Sequence, residues 1–419
     1  ADHAARTIDV AFVVSPGGPA RFGSVEVKGA DRFKAELLES RADIAEGEPY
    51  SPETLKSARK RLSKLDGLRS VRLVEGETPD TQGRIPVIIE VTERKARYVG
   101  ANAAVSSVDG AEVGGYWGHR NVFGNGESLR FDATVSNHGG DPVNDMEYQA
   151  KISLSRPSIA NPYTDYKTTV AVKHEKPDTY ESDEVTVSVG AIHQFTPWLT
   201  GELAVKNSWI GTEDVFGDRE FFLLSLPGEL VYDTRDHPLD ASKGWRAALF
   251  AEPAADLLNS TAFVHTRAQL AGYTQINKSP RVVAAGRVGV GMVWGTDIEN
   301  VPVTSRFLAG GGGSVRGYAF RSIGPEFAGE SVGGLSVVEM SGELRIRVSD
   351  TVGIVPFVDA AYVTSGSFFG GESKTAVGVG LGLRYHTAIG PIRLDVATPL
   401  NKLAGDPGVV FYVGLGQAF

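Results

Sequence analysis

The sequence predicts a transmembrane β-barrel of about 16 antiparallel strands, preceded by a small α+β domain. Three observations carry this prediction. From Arg97 onward, apolar and polar residues alternate with the period of a strand, arginines recur on the polar face, and short connections alternate with long ones. Helical periodicity is concentrated before this point, so the chain is expected to divide between residues 96 and 97.

The alternation is clearest late in the chain, where Val377, Leu381 and Tyr385 alternate with Gly378 and Arg384. A large soluble β-sandwich or propeller is the alternative, because a sheet that packs on one face in water also alternates. A soluble core could not hold many unpaired charges, although its solvent face could. The arginines predicted on the inner face are Arg130, Arg246, Arg287, Arg345, Arg347, Arg384 and Arg393.

The connections between the predicted strands fall into two classes. Residues 349–351 and 387–391 read as tight turns, whereas 137–144, 208–219 and 298–333 read as long polar loops. Short turns at one end and long loops at the other are typical of outer-membrane barrels, which in bacteria have an even number of strands. An even number puts both ends of the barrel on the periplasmic side.

Residues 21–96 are predicted to fold as strand, helix, helix, strand and strand. Ser51 is a suitable N-cap for the second helix, with Pro52 at its first position. The alternating stretch at residues 8–14 predicts one further strand that has no partner in this order. Residues 1–20 are therefore expected to be the remnant of a preceding domain, which makes the sequence a fragment of a longer protein.

Composition excludes several classes of protein. The 419 residues include 42% hydrophobic and 22% charged residues, which argues against intrinsic disorder. The net charge of −9, without a lysine or arginine block, argues against a nucleic-acid partner. Cysteine is absent, so disulfides and thiolate metal sites are excluded. No apolar run reaches the length of about 20 residues that a membrane helix needs.

One long connection contains the most informative motif. Four glycines at 310–313 are followed by Ser314 and by Val315-Arg316-Gly317-Tyr318. Two later strands carry acids in Gly342-Glu343-Leu344-Arg345 and Phe357-Val358-Asp359. Together these segments resemble the signature of the BamA/TamA family of outer-membrane β-barrel assembly proteins.

Further segments carry the same resemblance. Residues 121–126 resemble the early Asn-x-Phe-Gly-x-Gly turn of the family, and residues 232–236 with Gly244-Trp245 resemble a turn of its TamA branch. The order of helices and strands in residues 21–96 resembles a POTRA domain. The resemblance implies a POTRA domain at 21–96 in the periplasm and a 16-stranded barrel at 97–419 in the bacterial outer membrane.

The resemblance also implies a function. Such a chain inserts unfolded β-barrel clients, autotransporters among them, into outer-membrane lipid. It works without nucleotide, metal or other cofactor, and it is no enzyme. A TamA-like chain would dock a TamB-like periplasmic partner through its POTRA domains, and it is expected to be a monomer.

Arg316 is the first candidate functional residue. In strand phase Glu343 and Asp359 face the lumen, so the loop is predicted to fold inward and place Arg316 against them. A solvated loop arginine is the alternative. The motif residues predicted to act together are Gly312, Gly313, Val315, Arg316, Gly317 and Tyr318.

The second candidate is the seam where the last strand meets the first. Both predicted strands are rich in small residues, and glycine weakens strand pairing. The seam is therefore predicted to open sideways and expose a strand edge to a client. Small residues that simply fit a narrow wall are the alternative. The predicted seam residues are Tyr98, Gly100, Gly414, Gly416 and Phe419.

Two alternative functions remain open. A two-partner secretion pore shares the barrel and the arginine motif but exports a polypeptide through its lumen. A barrel-tethered lipase would use Ser331, which lies in a Gly-x-Ser-x-Gly sequence. That motif requires a strand before the serine and a helix after it, whereas an alternating strand is predicted to follow here.

Overall fold

The computed structural model describes residues 18–106, 110–137, 146–177, 179–387, 390–402 and 408–419. The predicted strand at 8–14 and most of the predicted loop at 137–144 lie outside these ranges. The chain forms two compact units. One runs up to Lys95 and includes 123–126 and 160–162; the other comprises 96–122, 127–159 and 163–419.

The first unit contains β1 (Arg21–Lys28), α1 (Ala35–Ala42), α2 (Pro52–Leu62), β2 (Leu68–Glu75) and β3 (Arg84–Glu93). The three strands form a sheet in the order β1-β3-β2. At the start of α2 the Ser51 hydroxyl accepts a hydrogen bond from the Thr54 N–H at 3.4 Å. Leu38, Leu62 and Ile89 are fully buried between the helices and the sheet, so each element contributes to one apolar core.

Glu93, at the end of β3, organises the segment before α1. Its Oε1 accepts hydrogen bonds from the N–H groups of Asp31, Arg32 and Phe33 at 2.8–3.0 Å. Burial by itself raises the pKa of Glu93, but the backbone donors of Arg32 and Phe33 and the Arg32 guanidinium outweigh burial and lower it. A lowered pKa means that the ionised carboxylate stabilises this fold.

We expect Glu93→Ala to destabilise the first unit by about 1–3 kcal/mol, because three backbone donors lose their acceptor. The contribution of the carboxylate is present above the unfolded-state pKa and is lost as the pH falls through the folded-state pKa. Hydrogen exchange of the β1 and β3 amides in the full chain measures both effects. Glu26→Ala, at an exposed carboxylate in β1, is the control, and equal losses in the two variants would contradict this role.

The remaining strands are β4 (Arg97–Ser106), β5 (Gly110–Arg120), β6 (Ser128–Asn137), β7 (Met146–Arg156), β8 (Thr164–Glu175), β9 (Glu181–Gln194), β10 (Leu199–Asp214), β11 (Gly217–Ser225), β12 (Gly228–Asp233), β13 (Gly244–Asp256), β14 (Thr261–Lys278), β15 (Arg281–Trp294), β16 (Glu326–Phe327), β17 (Glu330–Ser331), β18 (Ser336–Arg347), β19 (Val352–Thr364), β20 (Ser373–Thr387), β21 (Gly390–Pro399) and β22 (Val410–Leu415). Single 3-10 turns occupy Ile298–Asn300, Val303–Ser305 and Ser367–Phe369. All these strands except β16 and β17 form one closed barrel, in which β22 meets β4.

β11 and β12 are two parts of one barrel strand. Both pair with β10 in a continuous register, with Lys206 opposite Ser225 and Leu203 opposite Gly228. The ladder is interrupted at Pro227, which has no N–H to donate. In the described residues the barrel therefore has sixteen strands, and the predicted fold class is confirmed.

The two faces of the barrel wall follow the alternation in the sequence. Met340, Val358 and Leu381 are about half exposed on the outside, whereas Phe357 and Arg384 are buried inside. The outer apolar face is the one that a membrane barrel presents to lipid. Among the described residues, no helix has the length and apolar character needed to cross a membrane.

The predicted long loop at 208–219 is wrong. β10 continues to Asp214 and β11 begins at Gly217, with Trp209 opposite Phe222 and Thr212 opposite Arg219. The polar residues that read as a loop lie at the ends of two long paired strands. Gly217, with φ +91°, allows the turn between them.

Candidate functional site

The connection between β15 and β18, residues 295–335, is called the lumen loop here. Its apolar side chains Val301, Val315, Tyr318 and Ile323 are fully buried, in one cluster with barrel residues such as Phe221. An exposed loop would leave these side chains in water. The lumen loop is therefore folded into the barrel and held there by apolar packing as well as by the polar contacts below.

The glycines of the motif allow its backbone path. Gly310, Gly311 and Gly317 have φ values of +109°, +87° and +105°, which favour glycine over other residues. A Cβ at Gly317 would also lie 2.9 Å from the carbonyl carbon of Thr398 in β21. The predicted residues Gly312 and Gly313 differ from these: a Cβ at Gly312 would approach the Tyr412 ring, and at Gly313 it would meet open space.

The guanidinium of Arg316 contacts Glu343 and Asp359, the two acids that strand alternation predicts on the inner face. Its Nε and Nη2 donate to the two Asp359 carboxylate oxygens at 2.7 and 3.0 Å, and Nη1 donates to Glu343 at 3.0 Å. Nη1 also donates to Asp395 at 3.2 Å, and the backbone N–H of Arg316 donates to Asp359. The guanidinium carbon lies 3.4 Å from the centroid of the Phe357 ring. One planar cation thus binds three strands of the wall.

The cluster around Arg316 is buried, with 0–2% of each of these four charged side chains exposed. Glu343 also accepts from Arg345 at 2.9 Å, and Asp395 accepts from Arg384. The carboxylates are therefore shared among several guanidinium groups. Removing one member of such a network leaves buried charges without their partner, which costs more than loss of a surface ion pair.

Tyr318 and Tyr412 attach the motif to the last strands of the barrel. The Tyr318 hydroxyl donates to Asn401 at 2.7 Å and accepts from the N–H of Val377. The Tyr412 hydroxyl, from β22, accepts from the Gly317 N–H at 3.0 Å and donates to the Tyr318 carbonyl. Strand alternation puts Tyr412 and Asp395 on the inner face, but the sequence had no signal that they contact the motif.

The glycine at 378 creates the space in which the motif docks. A Cβ at Gly378, on the inner face of β20, would overlap the carbonyl oxygen of Arg316. Gly380 on the same face gives room to the Phe357 ring. The glycines that alternate along β20 therefore allow the backbone of the lumen loop to approach the wall closely.

Few of the described residues pair across the seam between β22 and β4. In the described parts of these strands two residue pairs form its ladder, Tyr412 with Ser106 and Val413 with Val105. By comparison, β4 pairs with β5 over ten residues. Tyr98 and Gly100 lie on β4 outside the described pairs with β22, and a Cβ at Gly100 would overlap the Tyr116 ring of β5.

The end of the chain does not follow the predicted seam. Gly414 lies on β22 one residue beyond the described pair of Val413 with Val105, and Gly416, with φ +87°, lies beyond the end of β22. Phe419 lies beyond the end of β22: its backbone oxygen accepts a hydrogen bond from Arg345 at 3.0 Å, and the Arg287 guanidinium lies 5.4 Å from its ring centroid. Cation–π and packing contacts with inner-face residues thus draw Phe419 away from the seam.

Ser331 does not lie on a turn between a strand and a helix. This residue ends the two-residue strand β17, and the next element is the barrel strand β18. The strand-to-helix turn of a nucleophile elbow is therefore not present at this position. Within the described ranges, no group of three or more His, Asp and Glu side chains is placed to hold a metal ion.

Comparison with known proteins agrees with this architecture. Residues 121–419 match the family model of the Omp85 superfamily domain, and residues 20–94 match the POTRA model, described as a surface antigen variable number repeat. The chain is 22% identical, over 99% of its length, to the outer membrane protein assembly factor BamA of Neisseria meningitidis serogroup B. It covers 58% of that relative, which is less than two thirds of its length.

Two groups of solved structures share the fold. The crystal structure of BamA from Haemophilus ducreyi lacking POTRA domains 1–3 matches with a TM-score of 0.75 at 18% identity, over 95% of this chain and 85% of that one. CdiB from Acinetobacter baumannii matches with a TM-score of 0.64 at 12% identity, over 95% of this chain and 74% of that one.

These matches confirm the predicted localisation, with the barrel in the bacterial outer membrane and the POTRA domain in the periplasm. They also confirm the BamA-like character that the motif predicts, whereas the TamA branch stays a prediction. On the match of its barrel to the family model, the chain belongs to the Omp85 superfamily.

Proposed function

We propose that this protein inserts client β-barrel proteins into the outer membrane through the seam between β4 and β22. The observation that carries the proposal is the ladder between β4 and β22, in which only two residue pairs form among the described residues of these strands. The relative from Neisseria meningitidis is named an outer membrane protein assembly factor, which supports the same function for this chain.

Among the described residues the seam has fewer backbone pairs than the neighbouring ladders, which favours the seam as the place where the wall opens. Backbone groups that leave a ladder inside the hydrocarbon lose several kcal/mol each unless they find another partner. A client strand supplies such a partner by adding to the exposed edge of β4 or β22. The neighbouring ladders, such as the ten pairs between β4 and β5, resist opening because many more such bonds would have to break.

A disulfide across the seam tests the proposal. Because the chain has no cysteine, Val105→Cys with Val413→Cys introduces a single pair at opposite positions of the ladder. We expect the oxidised protein to lose client insertion into liposomes by at least about tenfold, and a reductant to restore it. The readout is the folded fraction of an added barrel protein.

The control is a disulfide elsewhere in the wall. Phe131→Cys with Ile152→Cys joins β6 and β7 at opposite, outward-facing positions, and it should leave insertion unchanged. Full insertion by the seam-locked protein would reject lateral opening as the mechanism.

We further propose the finer assignment that the motifs favour, a TamA-like chain with autotransporter clients and a TamB-like periplasmic partner. It is supported by residues 232–236 with Gly244-Trp245 and by the tyrosine that ends Val315-Arg316-Gly317-Tyr318. Copurification of the full-length protein with its periplasmic partners tests it. A complex with lipoproteins of a BAM-like machine instead would reject the TamA-like branch.

A two-partner secretion pore is the second candidate, because CdiB shares the fold over 95% of this chain. The folded lumen loop opposes it, since Val315 and Tyr318 occupy the lumen that an exported polypeptide would have to cross. Conductance in planar bilayers separates the two functions. Large and steady conductance favours the pore, whereas small and erratic conductance favours insertion through the seam.

A further inference from the structure

We propose that Arg321, Glu175 and Tyr180 form a latch that ties the lumen loop to the first half of the barrel and releases when the seam opens. The inference rests on the proposed function and names the contact that controls it. The three residues are called the latch below. It differs from the Arg316 cluster because it lies on the opposite side of the seam.

The latch joins the lumen loop to the connection between β8 and β9. Arg321 Nη1 donates to the Glu175 carboxylate at 3.1 Å and to the Tyr180 hydroxyl. The Tyr180 hydroxyl in turn donates to Glu175 at 3.3 Å. Glu175 and Tyr180 are buried, and Arg321 has φ +53°, a left-handed conformation that is costly for a residue other than glycine. The contacts of its side chain offset that cost.

The same loop is bound to the other half of the barrel a few residues earlier. Arg316 binds Asp359 of β19 and Asp395 of β21, and Gly317 binds Tyr412 of β22. The five residue-to-residue steps from Arg316 to Arg321 span at most about 18 Å even when fully extended. The segment therefore bridges strands on both sides of the seam, and the end of β8 cannot move far from β22 while both attachments hold.

The latch is the weaker of the two attachments. The Arg316 side chain is 2% exposed and contacts three carboxylates, whereas the Arg321 side chain is 25% exposed and contacts one. Water replaces the partners of a partly exposed ion pair at a lower cost than those of a buried network. Opening of the seam is therefore expected to break the latch and to leave the Arg316 cluster intact.

A third ion pair of the lumen loop is placed where opening need not disturb it. Arg306 donates to Asp214 of β10 at 3.0 Å, with both side chains buried. β10 is the seventh of the sixteen barrel strands counted from the seam, close to the opposite wall. If the barrel opens at the seam, displacement is smallest at that wall, so this ion pair acts as a fixed support for the loop.

Two spin labels measure the open fraction of the full protein in nanodiscs. Because the native chain has no cysteine, Val113→Cys in β5 and Leu394→Cys in β21 place one label on each side of the seam, at outward-facing positions. We expect Arg321→Gln to raise the ratio of open to closed protein by about tenfold, as loss of a hydrogen-bonded ion pair predicts. The isosteric Glu175→Gln should act in the same direction and provides the test if Arg321→Gln does not fold.

Two controls separate a latch from a general loosening of the loop. Lys374→Gln removes another ion pair of the lumen loop, between Lys374 and Glu326 at 2.6 Å. Lys374 lies in β20, on the same side of the seam as the strands that bind Arg316. This substitution should leave the open fraction unchanged. Because Lys173 also pairs with Glu175 at 2.5 Å, the charge swap Arg321→Glu with Glu175→Arg is made together with Lys173→Gln, and it should restore the closed population. An unchanged ratio in both Arg321→Gln and Glu175→Gln, or an equal rise in Lys374→Gln, would overturn the latch.

The latch and the proposed function can fail separately. If the seam-locked disulfide protein inserts clients at the full rate, the proposed function fails whatever the labels show. If that lock abolishes insertion but neither latch variant changes the open fraction, the seam mechanism stands and the latch is rejected.

Discussion

Replacing Arg316 by alanine is expected to release the lumen loop from the barrel wall and to reduce client insertion by at least about tenfold. Asp359, Glu343 and Asp395 are almost fully buried and all contact this guanidinium. Truncation leaves their charge less compensated, and breaking a buried ion pair in this way costs on the order of 3–5 kcal/mol. Limited proteolysis of the lumen loop and insertion into liposomes measure the two consequences.

The geometry of the cluster predicts the outcome of a conservative change as well. Arg316→Lys keeps the charge, but an ammonium cannot donate to both Asp359 oxygens and to Glu343 with the planar fork that the guanidinium uses. We therefore expect lysine to recover little of the loss. Arg130→Ala is the control, because that arginine is 42% exposed and pairs with a single acid, Asp132. Protease resistance equal to that of the unmodified protein in Arg316→Ala would contradict the role of the cluster.

Replacing Gly378 by alanine is expected to undock the same segment by a different route. The added Cβ would overlap the carbonyl oxygen of Arg316. Residue 378 cannot retreat, because β20 is paired with β19 on one side and with β21 on the other. The motif has to move, because neither the Cβ nor the backbone oxygen of Arg316 can avoid the overlap by rotation of a side chain. Overpacking of this kind costs typically about 1–3 kcal/mol. Protease access to the lumen loop should rise together with the loss of insertion.

Gly289→Ala is the matched control for this substitution. Gly289 is also a buried barrel-strand glycine, but a Cβ there would lie 3.9 Å from its nearest neighbours, so the change should be close to neutral. Because Gly378→Ala and Arg316→Ala both release the same segment, their effects should not add in the double variant. Additive losses would show that Gly378 acts on something other than the docked motif.

Much of the candidate site follows from the two-residue period of a strand. The alternation from Val338 to Val348 put Glu343 on the inner face, and the alternation around Val358 put Asp359 there. The structure places Arg316 on both acids. The role of the contact in assembly stays a prediction, which the Arg316 variants test.

Other members of the site could not be predicted from the sequence. Asp395, Tyr412 and Gly378 lie on the inner face by the same alternation, but which of the inner residues meets the motif depends on the register of β20, β21 and β22. The latch shows the same limit, because Glu175 and Arg321 are separated by 146 positions in the chain. Nothing local in either segment specifies its partner.

The errors have a common physical cause. Residues 208–219 were polar enough to read as a loop, but pairing of β10 with β11 satisfies their backbone groups and extends both strands. Phe419 is a predicted seam residue, but contacts with Arg345 and Arg287 take it away from the seam. In both cases a contact distant in sequence outweighed the local pattern.

The sequence by itself determined the class of fold, the two faces of the wall and the arginine motif, because strand alternation and glycine-rich turns are local properties of the chain. Only the tertiary structure decided how the lumen loop docks, which described residues of β4 and β22 pair, and where Arg321 is held. These depend on closure of the barrel, which sets the register between distant strands and brings the loop against both sides of the seam.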